Sequence, residues 1–218
     1  MSTSSAAGKH HFAHHFKNAW HEHLTSKEGI WLFMVTEILM FGGLFVAYAI
    51  FHQKYPEMFA EGAGHLNWKM GFLNTLVLIT SSLTMALGIH YIQKGDNNKA
   101  VMNLALTVIC GCIFMVVKYF EYTHKFHMGI YPGKFLDVAK VGAQHSNLGL
   151  YFGLYFCMTG LHGTHVLIGM GLILWVLMRT MKGDFSPENF TAVEGVGIFW
   201  HIVDLIWIFL FPLLYLVG

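Results

Sequence analysis

Five long apolar runs decide what this chain can fold into. They cover residues 29–51, 70–92, 100–117, 147–178 and 195–217, the third continuing into "KYFEYTHKF". A helix rising about 1.5 Å per residue needs about 20 residues to cross a hydrocarbon core of roughly 30 Å. Backbone amides in lipid must be satisfied within their own segment, so the runs predict five transmembrane helices in an all-α, multi-pass bundle. Strands of a membrane barrel would alternate polar and apolar residues at every second position, and these runs do not. The fourth run is long enough to tilt or to protrude. Composition agrees: 55% of the residues are hydrophobic and 11% charged, against about 25% charged in soluble domains. A net charge of +1 argues against nucleic acid as a partner. Cys110, Cys112 and Cys157 lie in apolar runs and read as small packing residues rather than a disulfide or metal framework.

The chain divides into a histidine-rich segment, 1–27, and a five-helix domain, 28–218. The start, "MSTSSAAGKHHFAHHF", lacks the apolar core of a cleaved signal peptide, so none is expected. Its His10/His14 and His11/His15 spacings could bind Zn²⁺. The favoured reading is an interfacial helix, with Phe12, Phe16 and Trp20 on its apolar side. The longest connection predicts a short amphipathic helix over about 133–141. Lysine and arginine counting barely orients the bundle: with the N-terminus inside, seven basic residues lie inside and six outside.

An ionisable side chain inside a span demands a partner or a purpose. Glu37, ninth in the first run, is read as carrying a functional or proton-linked role, with interhelical packing as the alternative. In "TGLHGTHVLIG", His162 and His165 share a helix face. One turn of one helix supplies at most two metal ligands, so interhelical hydrogen bonding with the glutamate, or contact with lipid head groups, is expected instead. In "FWHIVDLIWIF", His201 and Asp204 are expected to pair and neutralise one another, and Trp200 and Trp207 are expected to mark that helix's face or an interface belt. Around "KYFEYTHKF", Glu121 is spaced to pair with Lys118 and Lys125, as a snorkelling, ion-paired helix end.

Together these motifs resemble subunit III of the haem–copper respiratory oxidases. The resemblance rests on "EILMFGGLF", "LNTLVLITSSLTMALGIHY", "KYFEY", "TGLHGTHVLIG" and "FWHIVDLIWIFLFPLLYLVG", in the family's order, over residues 28–218. It implies a non-catalytic subunit of a proton-pumping oxidase, cytochrome c oxidase type, that stabilises the catalytic subunit and supports proton uptake during aerobic electron transport. Haem and copper are expected in the partner subunits and none in this chain. The implied partners are catalytic subunit I, subunit II, structural phospholipids and a larger respiratory supercomplex. The implied location is the bacterial inner membrane, with the N-terminus cytoplasmic and the C-terminus periplasmic. Glu37 matches the family's intramembrane glutamate, His162 and His165 its HGxH pair, His201 and Asp204 its WHxxD element, and Glu121 its EY element. By the same resemblance His162, His165 and Trp200 are candidate lipid contacts. Longer members have seven helices, and the five runs here correspond to the five-helix bacterial form. Lys118 departs from the family, standing where many relatives carry an uncharged polar residue or an acid.

Within the family, a quinol oxidase subunit III and the accessory subunit of a nitric oxide reductase share these motifs. Two readings from other classes stay open. A b-type membrane cytochrome would use His90, His162, His165 and His201 as ligands, and an independent proton or ion channel would be built around Glu37 and the His/Asp pairs.

Overall fold

The computed structural model describes residues 19–142, 145 and 147–217. The histidines at positions 10, 11, 14 and 15 lie outside the described residues. The elements are α1 (Ala19–Lys54), α2 (Pro56–Gly64), α3 (Trp68–Gln93), α4 (Asn97–His127), α5 (Val138–Val141), α6 (Leu148–Met181) and α7 (Thr191–Tyr215). Five of them, α1, α3, α4, α6 and α7, are long and apolar enough to cross a membrane. The fold is an all-α membrane bundle. Helix α1 runs unbroken through residue 27, so its span begins inside a longer helix.

Local chemistry sets the turns. Asn67 caps α3 by accepting from the Lys69 amide at 3.1 Å, and Asp96 caps α4 by accepting from Lys99 at 3.2 Å. Gly95 between α3 and α4 has φ +76°, a left-handed conformation that costs glycine nothing. Two segments differ from expectation. The connection after the first span contains α2, started by Pro56, whose missing N–H is harmless in a first turn. The amphipathic helix expected over 133–141 is a 3-10 turn, Gly133–Phe135, followed by the single turn α5. Leu136 lies between them in an extended conformation, with φ −61° and ψ 127°, and interrupts the helix.

The packing is uneven. Helices α3, α4, α6 and α7 form the core, and α7 is its most buried span. Trp200 of α7 fits there because a Cβ on Gly169 would stand 2.7 Å from its ring, and one on Gly111 3.2 Å. Helix α1 lies outside this core and touches it through one stripe, Met34, Phe41 and Tyr48, while Leu32, Ile38 and Leu39 face outward. Its ion pair Lys27–Glu194, 3.0 Å, holds one end to α7.

At the other end, tyrosines finish α7. The last carbonyls of a helix lack partners within it. Here Tyr48 of α1 donates to Leu213 O at 2.6 Å and Tyr151 of α6 donates to Leu214 O at 2.8 Å. Outside the spans, His145 Nδ1 meets Glu61 Oε2 at 2.6 Å and its own amide donates to the same oxygen at 3.2 Å. That hydrogen bond raises the His145 pKa above its ordinary value.

Candidate functional site

Three polar clusters lie within the spans. The first joins α1 to α6. His165 Nε2 and Glu37 Oε2 are 2.8 Å apart, and His165 Nδ1 is 2.8 Å from Leu161 O. A carbonyl oxygen only accepts, so Nδ1 must carry a hydrogen. The Nε2–Oε2 contact then holds a single proton, either as a neutral acid on neutral imidazole or as a carboxylate on imidazolium. Both forms are neutral overall, which suits an apolar site. Phe41 meets the His165 ring edge-on at 5.4 Å. The hydrogen bond expected between Glu37 and the histidine pair is present, and His165 makes it.

His162 does not share that role. Residues three apart on a helix diverge by about 60°, which turns His162 into the core. It is fully buried, tilted over the Trp207 ring at 5.2 Å and against Phe114 at 5.5 Å, and neither ring nitrogen has a hydrogen-bond partner among the described residues. Trp200 is likewise fully enclosed. The lipid contact expected of His162 and Trp200 is therefore corrected: neither side chain reaches the surface that lipid covers.

The second cluster lies between α3 and α7. His201 and Asp204 do not pair. His201 Nδ1 meets Ser82 Oγ at 2.7 Å, while Asp204 Oδ2 accepts from Ser81 Oγ at 3.2 Å. The same 60° divergence gives the two residues different neighbours. Trp200 Nε1 donates to Ser81 Oγ at 3.0 Å. The single Ser81 proton also faces Leu78 O at 2.7 Å, so the longer bond to Asp204 is the weaker, and Asp204 Oδ1 has no partner among the described residues.

The third cluster is the most completely bonded. Glu121 Oε2 accepts from Lys118 Nζ at 2.8 Å. Its Oε1 accepts from Lys125 Nζ at 2.9 Å, Tyr215 OH at 2.6 Å and Tyr155 OH at 3.1 Å. Lys118 also donates to the Tyr215 oxygen at 2.8 Å and lies 4.5 Å from the Trp207 ring centroid. The expected pairs form, but the snorkelling reading is corrected: Lys118, Glu121 and Lys125 are 7%, 3% and 2% exposed and sit inside the bundle. Aromatic faces and phenols from α6 and α7 replace water as their solvation.

The four candidate haem ligands do not converge. His162 meets Trp207, His165 meets Glu37, His201 meets Ser82, and His90 is exposed. No three His, Cys, Asp or Glu side chains among the described residues are placed to share a metal ion. Sequence reading missed Ser81, Ser82, Tyr155 and Tyr215. The adjacent serines in "LITSSLTM" were the available signal for the first two. Nothing local distinguished the tyrosines from interfacial ones.

Comparison with known proteins follows the same pattern. The family model described as cytochrome c oxidase subunit III matches residues 10–218. Cytochrome c oxidase subunit 3 of Synechocystis is 34% identical over 189 residues, 86% of this chain and 74% of that protein. The protein of that name from Corynebacterium diphtheriae is 33% identical, covering 87% of this chain and 86% of its own. The probable quinol oxidase subunit 3 of Staphylococcus haemolyticus is 27% identical over 91% of this chain and 92% of its own length.

Proposed function

The chain belongs to the cytochrome c oxidase subunit III family, and on that premise we propose that it serves a proton-pumping haem–copper terminal oxidase as a non-catalytic subunit. It packs beside catalytic subunit I, with subunit II completing the complex, and the haem and copper chemistry belongs to those partners. The observation that carries this reading is the family match over nearly the whole chain. The geometry supports it: every buried acid is engaged by a histidine, serine, lysine or tyrosine of the bundle itself. Higher identity to relatives named for cytochrome c than to those named for quinol, 34% and 33% against 27%, supports the cytochrome c type.

Within that complex Glu37 and His165 form the proton-linked pair, since one shared proton is the only exchangeable element in their contact. Lipid contact falls to the His165 side of the bundle, beside the loosely packed α1. His201, Asp204, Glu121, His162 and Trp200 hold the core together. Residues 28–218 form the subunit III domain, placed in the bacterial inner membrane with the N-terminus cytoplasmic and the C-terminus periplasmic. Five spans support opposite faces for the ends of the bundle. Residues 1–27 carry the histidine-rich start of the chain, and from Ala19 they continue into α1.

The test is purification of a tagged chain from native membranes in mild detergent. A haem–copper catalytic subunit is expected to co-purify, and the chain stripped of companions is expected to lack a Soret band. A chain that isolates alone with tightly held haem overturns the reading.

A further inference from the structure

Asp204 stands near the middle of α7 and Ser81 near the middle of α3, each roughly 16 Å or more from either end of its helix. Both are buried. Glu121 illustrates what an ionised carboxylate takes at such depth, two ammonium groups and two phenols. Asp204 has far less. Ser81 Oγ approaches its Oδ2 at 3.2 Å, and its Oδ1 has no partner among the described residues.

No charged group among the described residues pairs with Asp204. On its own helix His201 turns away to Ser82. From α4 the Cys110 thiol comes within electrostatic reach, while Lys118 stands over the Trp207 ring and is bonded to Glu121 and Tyr215. From α6 His162 lies against the same Trp207 ring. An isolated carboxylate in apolar surroundings takes up a proton rather than bear the cost of its charge.

The hydrogens can be counted. Three contacts converge on Ser81 Oγ, and a hydroxyl has one hydrogen and two lone pairs. Trp200 Nε1, which only donates, fills one lone pair at 3.0 Å. Leu78 O, which only accepts, stands at 2.7 Å and takes the hydrogen. The second lone pair is left for Asp204, and two acceptors cannot hold one another. The hydrogen in that contact therefore comes from the Asp204 side. The alternative divides the serine hydrogen between Leu78 and an ionised Asp204, and the lengths oppose it. A hydroxyl closes on a carboxylate to about 2.5–2.7 Å, yet here the neutral carbonyl is the nearer acceptor.

We infer that Asp204 is a proton-binding site that stays filled, a neutral carboxylic acid whose Oδ2–H donates to Ser81. With the proton in place Ser81 donates once and accepts twice, Trp200 is satisfied, and α3 and α7 are joined with no net charge between them. The site is a store and not a relay. The Ser81 hydrogen ends on a backbone carbonyl and the Trp200 N–H cannot accept, so no hydrogen-bonded route through Ser81 leads to another titrating side chain among the described residues. The inference stands on hydrogen counting and not on the family assignment.

The test is infrared spectroscopy of the full chain, expressed by itself and purified in mild detergent, with heavy carbon in its aspartate side-chain carboxyls. The other aspartates, Asp96, Asp137 and Asp184, lie in connections and are expected to absorb as carboxylates at neutral pH. One neutral-acid carbonyl band that moves with the label is expected in the wild type. It should vanish in Asp204→Asn and persist at higher frequency in Ser81→Ala, where the acid has lost its acceptor. In heavy water it should shift only slowly. Absence of a labelled neutral-acid band in the wild type overturns the inference, as does a band that survives Asp204→Asn. A shift complete on mixing with heavy water overturns the store. The labelled wild type needs no folded variant, and its spectrum is read whether or not an oxidase co-purifies with the native chain.

Discussion

Glu121 and Glu37 both lie well inside their spans, and they are held in opposite ways. Glu121 sits where α4, α6 and α7 meet and accepts from two lysines and two tyrosines. Glu37 sits on the outlying α1 and has a single cross-helix partner among the described residues, His165, with its side chain still 15% exposed. The number of donors decides what each can do. A carboxylate with four donors, two of them cationic, is fixed as an anion, and removing its charge strands two ammonium groups. A carboxyl that shares one proton with one imidazole can take either form at little structural cost.

The largest effect should come from breaking the fixed site. Glu121→Gln leaves two buried lysines without a counter-charge, and a loss of about 3–5 kcal/mol is expected. Thermal unfolding in detergent and retention in the complex measure it; an unchanged midpoint would show that the cluster is not ionised as drawn. Asp204 is intermediate, because its only hydrogen-bond partner among the described residues is a serine with other obligations. Ser81→Ala removes the partner of both Trp200 Nε1 and Asp204, and about 1–3 kcal/mol should be lost in the same assay. Next, Glu37→Gln keeps the shape and a hydrogen bond to His165. Its stability should fall by no more than about 1 kcal/mol with assembly intact. The number of turnovers before the enzyme inactivates should change, and identical inactivation in wild type and variant would remove the proton-linked role.

The smallest effect sharpens the comparison from outside the bilayer. Glu61 and His145 repeat the acid–imidazole chemistry of Glu37 and His165 in contact with water. Because the folded His145 pKa is raised, its charged-form contribution is fully present below the ordinary histidine value of about 6.5. It is lost as pH climbs through the raised value. Amide exchange around 145–148, corrected for intrinsic rates, should accelerate over that rise. Glu61→Gln should weaken the pH dependence without removing it, because Glu57 Oε2 still lies 3.5 Å from His145 Nε2, and an undiminished dependence would place its origin elsewhere.

The spans were legible in the sequence because lipid imposes a length and forbids unpaired backbone, and both constraints appear as uninterrupted apolar runs. The Lys118–Glu121–Lys125 pairs were legible for a similar reason, since they lie on one helix at i,i+3 and i,i+4. What failed were pairings inferred from spacing alone. His201 and Asp204 have the separation of partners yet find Ser82 and Ser81, because an adjacent helix offers hydroxyls at better positions than the residues offer each other. The burial of the lysines was equally hidden. It depends on Tyr155, Tyr215 and Trp207, which lie 34 to 97 residues away in sequence from the charges they solvate.

The hydroxyl caps on the final turn of α7 bear on biogenesis. Tyr48 belongs to the first of these five spans and Tyr151 to the fourth, yet both complete the fifth, which is synthesised after them. That helix can enter the bilayer unaided but cannot settle its end until the earlier spans have gathered round it. Closure of the bundle is therefore a late event in synthesis, and loss of Tyr48 should register as slow maturation of newly made chains before it registers in the finished protein.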